Sequence, residues 1–306
     1  MTGDVYMKMS RCFCIGWAFF LLLFPHILSA QDIMPDVPEV EKKKNQPRQL
    51  KEIRKADSIF AYTILPKPFI GVCDNYIMDE SLTLDPLFER MRLLRIGANT
   101  DTLHILHIGD SHVRGHIFPQ TAGEKLKKDF GAIKYTDMGV NGATCLTFTH
   151  PDRIAGITAL NPDLIILSFG TNESHNRRYN ENIHYSQMDE LVKFLQARLP
   201  DTPILLTTPP GSYESFRQRR GRRRTYSINP RTPLAVENIL RYAKNNKLAV
   251  WNLYEIIGGK NRACKNWLES GLMRPDHVHY LPEGYVLQGE LLYEAIIKSY
   301  NTYVSF

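Results

Sequence analysis

Three residues of the chain have side chains of the types that acyl transfer requires. Ser111 lies in the segment GDSH at 109–112, and Asp276 and His279 lie three residues apart toward the carboxyl terminus. A serine hydroxyl becomes a strong nucleophile when a neighbouring base takes its proton, and that base is usually a neutral histidine oriented by a carboxylate. We therefore expect Ser111 to be the nucleophile, His279 the base and Asp276 the acid that orients it.

Acyl transfer also develops negative charge on the carbonyl oxygen, which needs hydrogen-bond donors that are already in position. We expect these donors to be the backbone amides of Ser111 and Gly142 and the side-chain amide of Asn172, which lie in the segments GDSH, GVNG and GTNE. Glu173 follows Asn172 directly, so it is expected either to cap the following segment or to contact the substrate.

The residues around Ser111 permit a different reaction class. Asp110 and His112 match the D-x-H pattern of dinuclear metallophosphoesterases, but the GTNE segment lacks the histidine that such enzymes place there. We expect Asp110 to cap the turn from strand to helix, and we expect neither a metal nor an organic cofactor. His104 and His107 are expected to be buried, hydrogen-bonded strand residues rather than ligands.

Short apolar segments alternate with amphipathic segments from Leu103 onward, as in proteins where strands and helices follow each other in turn. The predicted strands are 103–108, 132–138, 163–169, 203–208 and 248–253, and the predicted helices are 81–94, 120–130, 185–198, 234–245 and 285–300. Strands separated by helices form a parallel sheet that is covered on both faces. Because such sheets bind ligands at their carboxyl edge, the candidate residues are expected to meet there.

Four short blocks resemble those of the SGNH (GDSL-like) hydrolase superfamily. They are Ser111 in GDSH, Gly142 in VNGAT, Asn172 in GTNE and His279 in DHVH, in the order that the family has them, within roughly 103–300. The resemblance implies a three-layer α/β/α sandwich of the flavodoxin-like kind, with a parallel five-stranded sheet, and hydrolysis of esters. It also favours His279 over the neighbouring His277 as the base.

The residues within and around these blocks indicate which members of the superfamily the chain resembles most. The GDSH variant is similar to family members that act on acylated cell-envelope or dietary glycans, and the segments 207–213 and 271–285 resemble Bacteroidetes members. The resemblance therefore implies an exported esterase that releases an acyl group, expected to be O-acetyl, from a glycan or a small ester. The alternatives are a polysaccharide O-acyltransferase with the same machinery and a non-catalytic glycan-binding protein.

Two further features suggest contacts with a substrate. Six arginines lie between 217 and 224, either as a solvated loop or as a clamp for an acidic glycan. The clamp would be formed by Arg222, Arg223 and Arg224, because guanidinium groups pair with carboxylates in bidentate fashion. Trp267 is expected to be a platform on which a sugar stacks, whereas Trp251 lies in a predicted strand and is expected in the core.

The first thirty residues have the pattern of a signal peptide. Lys8 and Arg11 flank an apolar run at 12–23, and Ala30 supplies a small residue at a possible cleavage point. An uncleaved membrane anchor is the alternative, and both interpretations predict a periplasmic or secreted protein. Residues 31–58 are charged and contain three prolines, so they are predicted to be a linker before a hydrolase domain at 59–306 that begins with an extension.

The composition is that of a globular protein, with 43% apolar and 23% charged residues, and it excludes collagen, a disordered chain and a multi-span membrane protein. Much of the net charge of +6 comes from the arginine cluster, so nucleic acid is not an expected partner. Cys73, Cys145 and Cys264 are too widely spaced for a metal knuckle. Their spacing leaves open whether two of them form a disulfide.

Overall fold

The computed structural model describes residues 58–69, 73–217 and 224–305. The predicted signal segment and nearly all of the predicted linker lie outside the described residues, and so do Arg222 and Arg223. In the described part of the chain, no helix combines the length and apolar character needed to cross a bilayer. Export and the boundaries of the amino-terminal segments therefore remain predictions.

A six-stranded sheet forms the middle layer of the described chain. Its strands are β1 (Ile77–Met78), β2 (Leu103–Gly109), β3 (Ile133–Gly139), β4 (Leu164–Ser168), β5 (Ile204–Thr207) and β8 (Ala249–Trp251). Their order is β1-β8-β5-β4-β2-β3, and every neighbouring pair is parallel except β1 with β8. Two more strands, β6 (Tyr213–Arg217) and β7 (Arg224–Ile228), form a separate antiparallel pair.

Helices follow the strands, as the alternating pattern predicts. They are α1 (Asp85–Arg95), α2 (Ser111–Arg114), α3 (Ile117–Phe130), α4 (Pro151–Leu160), α5 (Thr171–His175), α6 (Glu181–Arg198), α7 (Thr232–Asn245), α8 (Leu253–Ile256), α9 (Gly259–Glu269) and α10 (Pro282–Ser305), with a 3-10 helix at Cys145–Thr149. All five helices predicted from the sequence are present, with ends that differ by a few residues.

The apolar strand residues divide between two cores. Leu164 and Ile166 of β4 pack into the core that contains α1, α3 and α10, whereas Ile165 and Leu167 pack into the core that contains α4, α6 and α7. Because successive strand side chains point to opposite faces, a continuous apolar strand needs helices on both sides. The predicted three-layer α/β/α architecture is confirmed.

The predicted strand count and the purely parallel sheet are wrong in one respect. All five predicted strands are present, but β1 adds a sixth, antiparallel strand at the edge, where Ile77 pairs with Trp251 and Met78 with Val250. Two residues are too few to produce a recognisable period, so this strand has no sequence signal. Trp251 is fully buried, as expected, and its Nε1 donates a hydrogen bond to Asn75 Oδ1 at 2.9 Å.

The two strand histidines are buried and hydrogen-bonded, which confirms the expectation for them. His104 Nε2 lies 2.8 Å from Thr136 Oγ1. His107 Nδ1 lies 3.0 Å from Tyr135 Oη, and its Nε2 lies 2.7 Å from Ser168 Oγ. Burial lowers the pKa of His107 to about 3, so this ring is neutral and links β2 to its neighbours.

Candidate active site

The strand order places three of the four sequence blocks side by side. Strand β2 lies between β3 and β4, and Gly109 at its end is level with Gly139 of β3 and Ser168 of β4. The loops after these strands therefore leave the sheet at the same height. They carry Ser111, Gly142 and Asn172, which is why residues 31 and 30 positions apart in the chain can form one site.

Asp110 fixes the turn that presents Ser111. Its Oδ1 accepts a hydrogen bond from His112 N at 2.9 Å, which caps the amino terminus of α2 and confirms the expected role. Burial raises the pKa of Asp110 to about 7, and the nearby charge of Glu173 adds to this, while the bond from His112 N opposes it. Ser111 is the first residue of α2, so its backbone N–H belongs to an open helix end.

A continuous chain of hydrogen bonds joins the three residues that the sequence suggests for acyl transfer. Ser111 Oγ lies 2.9 Å from His279 Nε2, and His279 Nδ1 lies 2.9 Å from Asp276 Oδ2. Each ring nitrogen of His279 thus has one partner. In the neutral ring the carboxylate holds the proton on Nδ1, which leaves Nε2 free to accept the proton of the serine hydroxyl.

The Asp276 carboxylate is held by its own loop. Its Oδ1 accepts hydrogen bonds from the backbone N–H groups of Val278 and His279, both at 2.9 Å. Burial alone would raise the pKa of Asp276, but the hydrogen bonds from His279 N, Val278 N and the His279 ring outweigh it and lower the pKa. Asp276 is therefore ionised at neutral pH and fixed in orientation.

His277 has a different role from His279. Its backbone has a φ of +57°, in the left-handed region, and its ring stacks on Tyr226 of β7 with centroids 4.1 Å apart and an interplanar angle of 17°. Its carbonyl accepts a hydrogen bond from Tyr213 N of β6 at 2.9 Å. The antiparallel pair β6–β7 thus braces the loop that carries Asp276 and His279.

Two glycines shape the loop after β3. A Cβ on Gly139 would lie 2.0 Å from Arg114 N, so only glycine lets β3 end this close to the backbone of α2. Gly142 has a φ of +74°, which a residue with a side chain rarely adopts. This conformation brings Gly142 to the wall of a cleft that opens in front of Ser111.

Asn172 is held beside the same cleft. Its Nδ2 donates to the carbonyl of Ala143 at 2.8 Å and makes a longer contact of 3.4 Å with Asp110 Oδ2. The first bond fixes the plane of the amide. The second is weak by its length, so the N–H that makes it is available to a stronger acceptor such as an oxyanion.

His112 and Tyr285 also surround the catalytic candidates, although the sequence predicts no part for either residue in acyl transfer. The His112 ring lies 5.5 Å from the His279 ring between centroids, and its Nδ1 lies 3.1 Å from Tyr285 Oη. Burial, together with the proximity of His279, lowers the pKa of His112 to about 3. His112 is therefore neutral, so it packs against His279 without repelling the charge that a base acquires.

Glu173 is a buried structural residue, so the expectation that it contacts substrate is wrong, and the capping alternative is confirmed. Its Oε2 accepts from Gly170 N and its Oε1 from Cys145 N, each at 2.9 Å. These two bonds tie the loop after β4 to the 3-10 helix that follows Gly142. The carboxylate thereby fixes the spacing between the two loops that carry Gly142 and Asn172.

Glu173 also belongs to a buried cluster with ligand types that a metal could use. Cys145, Glu173 and His184 each place one such atom within 4.8 Å of the others. Burial, followed by the charge of Glu173, raises the pKa of the Cys145 thiol well above its usual range, so the thiol stays protonated beside the carboxylate. Cys145, Cys73 and Cys264 are all free thiols. The acyl transfer considered for Ser111 makes no use of this cluster.

Replacing Glu173 with alanine is expected to destabilise the fold. Two buried backbone N–H groups would lose their acceptor, and each such loss costs roughly 1–3 kcal/mol. We expect the free energy of unfolding to fall by about 3 kcal/mol in urea denaturation. Glu190→Ala, an exposed position on α6, is the matched control and should leave it nearly unchanged. Equal unfolding curves for both variants would contradict the bracing role.

Two further residues that the sequence predicts as substrate contacts, Trp267 and Arg224, are not part of the described cleft lining. Trp267 is fully buried on α9, where its Nε1 donates to the Pro210 carbonyl at 3.1 Å and its ring meets the edge of Phe69 at 5.0 Å. It is a core residue, and the predicted stacking platform is wrong. Arg224 lies at the exposed start of β7 opposite Arg217, and it is not one of the described residues that line the cleft.

The cleft in front of Ser111 has a volume of about 590 Å³. Its described lining includes the side chains of Ser111, Asn172, His279, Tyr285, Arg114 and Arg274. Arg114 follows the block GDSH by two residues, and Arg274 precedes the block DHVH by two residues. This closeness to the blocks is the only feature of the sequence that could have predicted either arginine at the site. Most of the lining residues have polar side chains, which can hydrogen-bond to a hydrophilic substrate.

Comparison with known proteins identifies the family of the chain and supports its fold. Residues 107–287, more than half of the chain, match the model of the GDSL-like lipase/acylhydrolase family. A solved peptidoglycan O-acetylesterase is similar over 74% of this chain and 99% of its own, at 17% identity and a TM-score of 0.65. An acetyl xylan esterase is similar over 63% of this chain and 100% of its own, at 18% identity and a TM-score of 0.50. No curated protein matches the chain in sequence. The chain belongs to the GDSL-like lipase/acylhydrolase family and is an ester-bond hydrolase.

Proposed function

We propose that the chain hydrolyses an O-acetyl ester on a carbohydrate through an acyl-enzyme at Ser111. The observation that carries the proposal is the hydrogen-bonded chain from Ser111 Oγ through His279 to Asp276, with distances of 2.9 Å at both steps. These three hydrogen-bonded side chains lie beside a cleft that is large enough for a sugar ring. No metal or organic cofactor is needed for the reaction.

The first half of the reaction forms the acyl-enzyme. Ser111 Oγ bonds to the ester carbonyl carbon while its proton passes to His279 Nε2, and Asp276 stabilises the charged ring. The negative charge on the carbonyl oxygen is held by the N–H groups of Ser111 and Gly142 and by Asn172 Nδ2. The bond to the sugar oxygen then breaks, and that oxygen takes the proton from His279.

The second half releases the acid. Water attacks the acyl carbon, and His279 Nε2 takes one of its protons. The bond to Ser111 Oγ breaks, and the proton returns from His279 to the serine oxygen. The products are acetic acid, which loses its proton to solvent and becomes acetate, and the regenerated serine hydroxyl, so each proton that His279 accepts is passed on within the same turnover.

Two features favour an acetyl group on a sugar as the substrate. The cleft is broad, and most of the described residues that line it have polar side chains that can hydrogen-bond to the hydroxyl groups of a sugar. The similar structures named above are a peptidoglycan O-acetylesterase and an acetyl xylan esterase, and both names describe removal of acetyl groups from glycans.

Asn172→Ala is expected to lower kcat by roughly a hundredfold or more, because one oxyanion donor contributes about 3 kcal/mol to the transition state. The Michaelis constant should change little, since the donor acts on charge that develops after binding. Initial rates of acetate release over a range of substrate concentrations measure both. Asn182→Ala, at an exposed position on α6, is the control. A raised Michaelis constant with normal kcat would contradict an oxyanion role.

The function is tested by acetate release from acetylated xylan, pectin, peptidoglycan and an aryl acetate, with Ser111→Ala protein as the blank. Release from at least one glycan by the wild type alone is the expected result. Failure to turn over any of these esters, together with failure to react with a serine-directed phosphonate, would overturn the proposal in favour of a binding protein. Acetyl groups that appear on an added sugar instead of in solution would assign transfer rather than hydrolysis.

A further inference from the structure

Two guanidinium groups line the cleft beside the serine. Arg114 and Arg274 are part of its wall together with Ser111 and His279, and the described lining contains no carboxylate. Among the described residues, no ion pair joins either arginine to an acidic side chain. The cleft therefore carries unneutralised positive charge close to the reacting atoms.

The position of Arg114 is fixed by a second Asp–His pair, separate from the one at Ser111. Arg114 Nη1 lies 2.7 Å from His116 Nε2, and His116 Nδ1 lies 2.6 Å from Asp137 Oδ1. Because arginine can only donate, His116 Nε2 accepts, and its Nδ1–H donates to the carboxylate. These hydrogen bonds connect Asp137 of β3 to the cleft wall and orient the Arg114 guanidinium.

The backbone around His116 indicates that this orientation is maintained against strain. His116 has a φ of +66°, in the left-handed region that favours glycine, and it immediately precedes α3. Residues with side chains persist in that conformation where their surroundings over-determine it, and such positions cluster at ligand sites. Here the contacts of the His116 ring with Arg114 and Asp137 hold the residue in the left-handed conformation.

Arg274 is fixed relative to the base. Its backbone N donates to the carbonyl of His279 at 2.8 Å, and its own carbonyl accepts from His277 N at 2.9 Å. Arg274 thus closes the turn that holds Asp276 and His279. Any movement of this turn carries the Arg274 backbone with it, so the side chain starts from a fixed point on the cleft wall.

We propose that Arg114 and Arg274 bind a carboxylate of the sugar that carries the ester, so that the substrate is an O-acetylated acidic glycan such as a uronic acid polymer. The inference rests on the proposed function of the same site. Planar guanidinium groups match carboxylates in geometry, and the charge-assisted bonds are stronger than those between neutral groups. A neutral glycan would leave both guanidinium groups without a carboxylate in direct contact.

The test uses two substrates of nearly equal shape, one charged and one neutral: the O-acetylated methyl glucuronoside and the carboxamide of the same sugar. We expect the wild type to hydrolyse the carboxylate with a kcat/KM at least about tenfold higher than the amide. This ratio should fall toward one in Arg114→Gln and Arg274→Gln. It should also fall with added salt, because the arginines are exposed to solvent. Arg198→Gln, an exposed position at the end of α6, is the control and should keep the ratio.

The outcomes separate this inference from the function on which it rests. An equal rate on both sugars by a wild type that is active overturns the charge recognition and leaves the esterase in place. A ratio that survives both arginine substitutions assigns the selectivity to other residues and overturns the role of Arg114 and Arg274. If the wild type releases acetate from neither sugar and from no aryl acetate, the proposed function fails and this inference fails with it.

Discussion

Ser111→Ala protein is expected to lose turnover by a factor on the order of 10⁵ to 10⁶, while it binds substrate and unfolds like the wild type. The hydroxyl is the only group removed, and its oxygen is the atom that bonds to the acyl carbon. His279 and Asp276 keep their bond of 2.9 Å, but they have no nucleophile to activate. Acetate release measured with enzyme in large excess gives the residual rate.

The control for this substitution is Ser186→Ala, which removes an exposed hydroxyl from α6. It should keep full activity, so the pair separates loss of the nucleophile from the effect of a serine-to-alanine change as such. Residual activity of the Ser111→Ala protein above a hundredth of the wild-type rate would contradict the assignment. In that case an activated water, and not the serine, would be the attacking group.

Asp276→Asn is expected to lower kcat by roughly 10³ to 10⁴-fold. The amide can still accept the backbone N–H bonds of Val278 and His279, so the loop should keep its shape. Its NH₂ group, however, would donate to His279 Nδ1 and shift the proton to Nε2. A ring protonated on Nε2 cannot accept the proton of Ser111, so the reaction stops at its first step.

The half-exposed position of Asp276 sets the expected size of this effect. Its side chain is 49% exposed, so water can partly screen the charge that the substitution removes. We therefore expect the decrease in kcat to be roughly 10³-fold, the lower end of the range. Asp201→Asn, an exposed position between α6 and β5, is the matched control. A loss smaller than tenfold in the Asp276→Asn protein would contradict the orienting role and point to the loop backbone as the element that holds His279.

Much of the fold follows from local pattern, because long apolar strands and amphipathic helices have distinct periods. The pattern predicts strands β2, β3 and β4 and places their ends to within about one residue. These ends lie side by side in the sheet, which brings Ser111, Gly142 and Asn172 together. Strand β1 was not predictable, since two residues carry no period. It exists because β8 offers an unpaired edge, which is a property of the folded sheet.

The sequence predicts those site residues whose type and spacing are distinctive. It does not predict which side chains are buried in the folded protein. The spacing of Asp276 and His279 allows both to act on one serine. Nothing in the local sequence distinguishes Trp267 in the core from a tryptophan at the surface, because burial is decided by Phe69 and other distant partners. The cleft positions of Arg114 and Arg274 were not predictable beyond their closeness to the blocks, because exposed arginines occur in many loops that bind no ligand.

The most direct test of the central claim is to trap the acyl-enzyme. The wild type is mixed with an aryl acetate, quenched with acid within the first turnovers and digested for mass spectrometry of its peptides. We predict an acetyl group on the peptide that contains Ser111, which appears with the burst of phenol and decays at the turnover rate. Acetyl on a different residue, or steady turnover with no acetylated peptide at any time, would contradict the account.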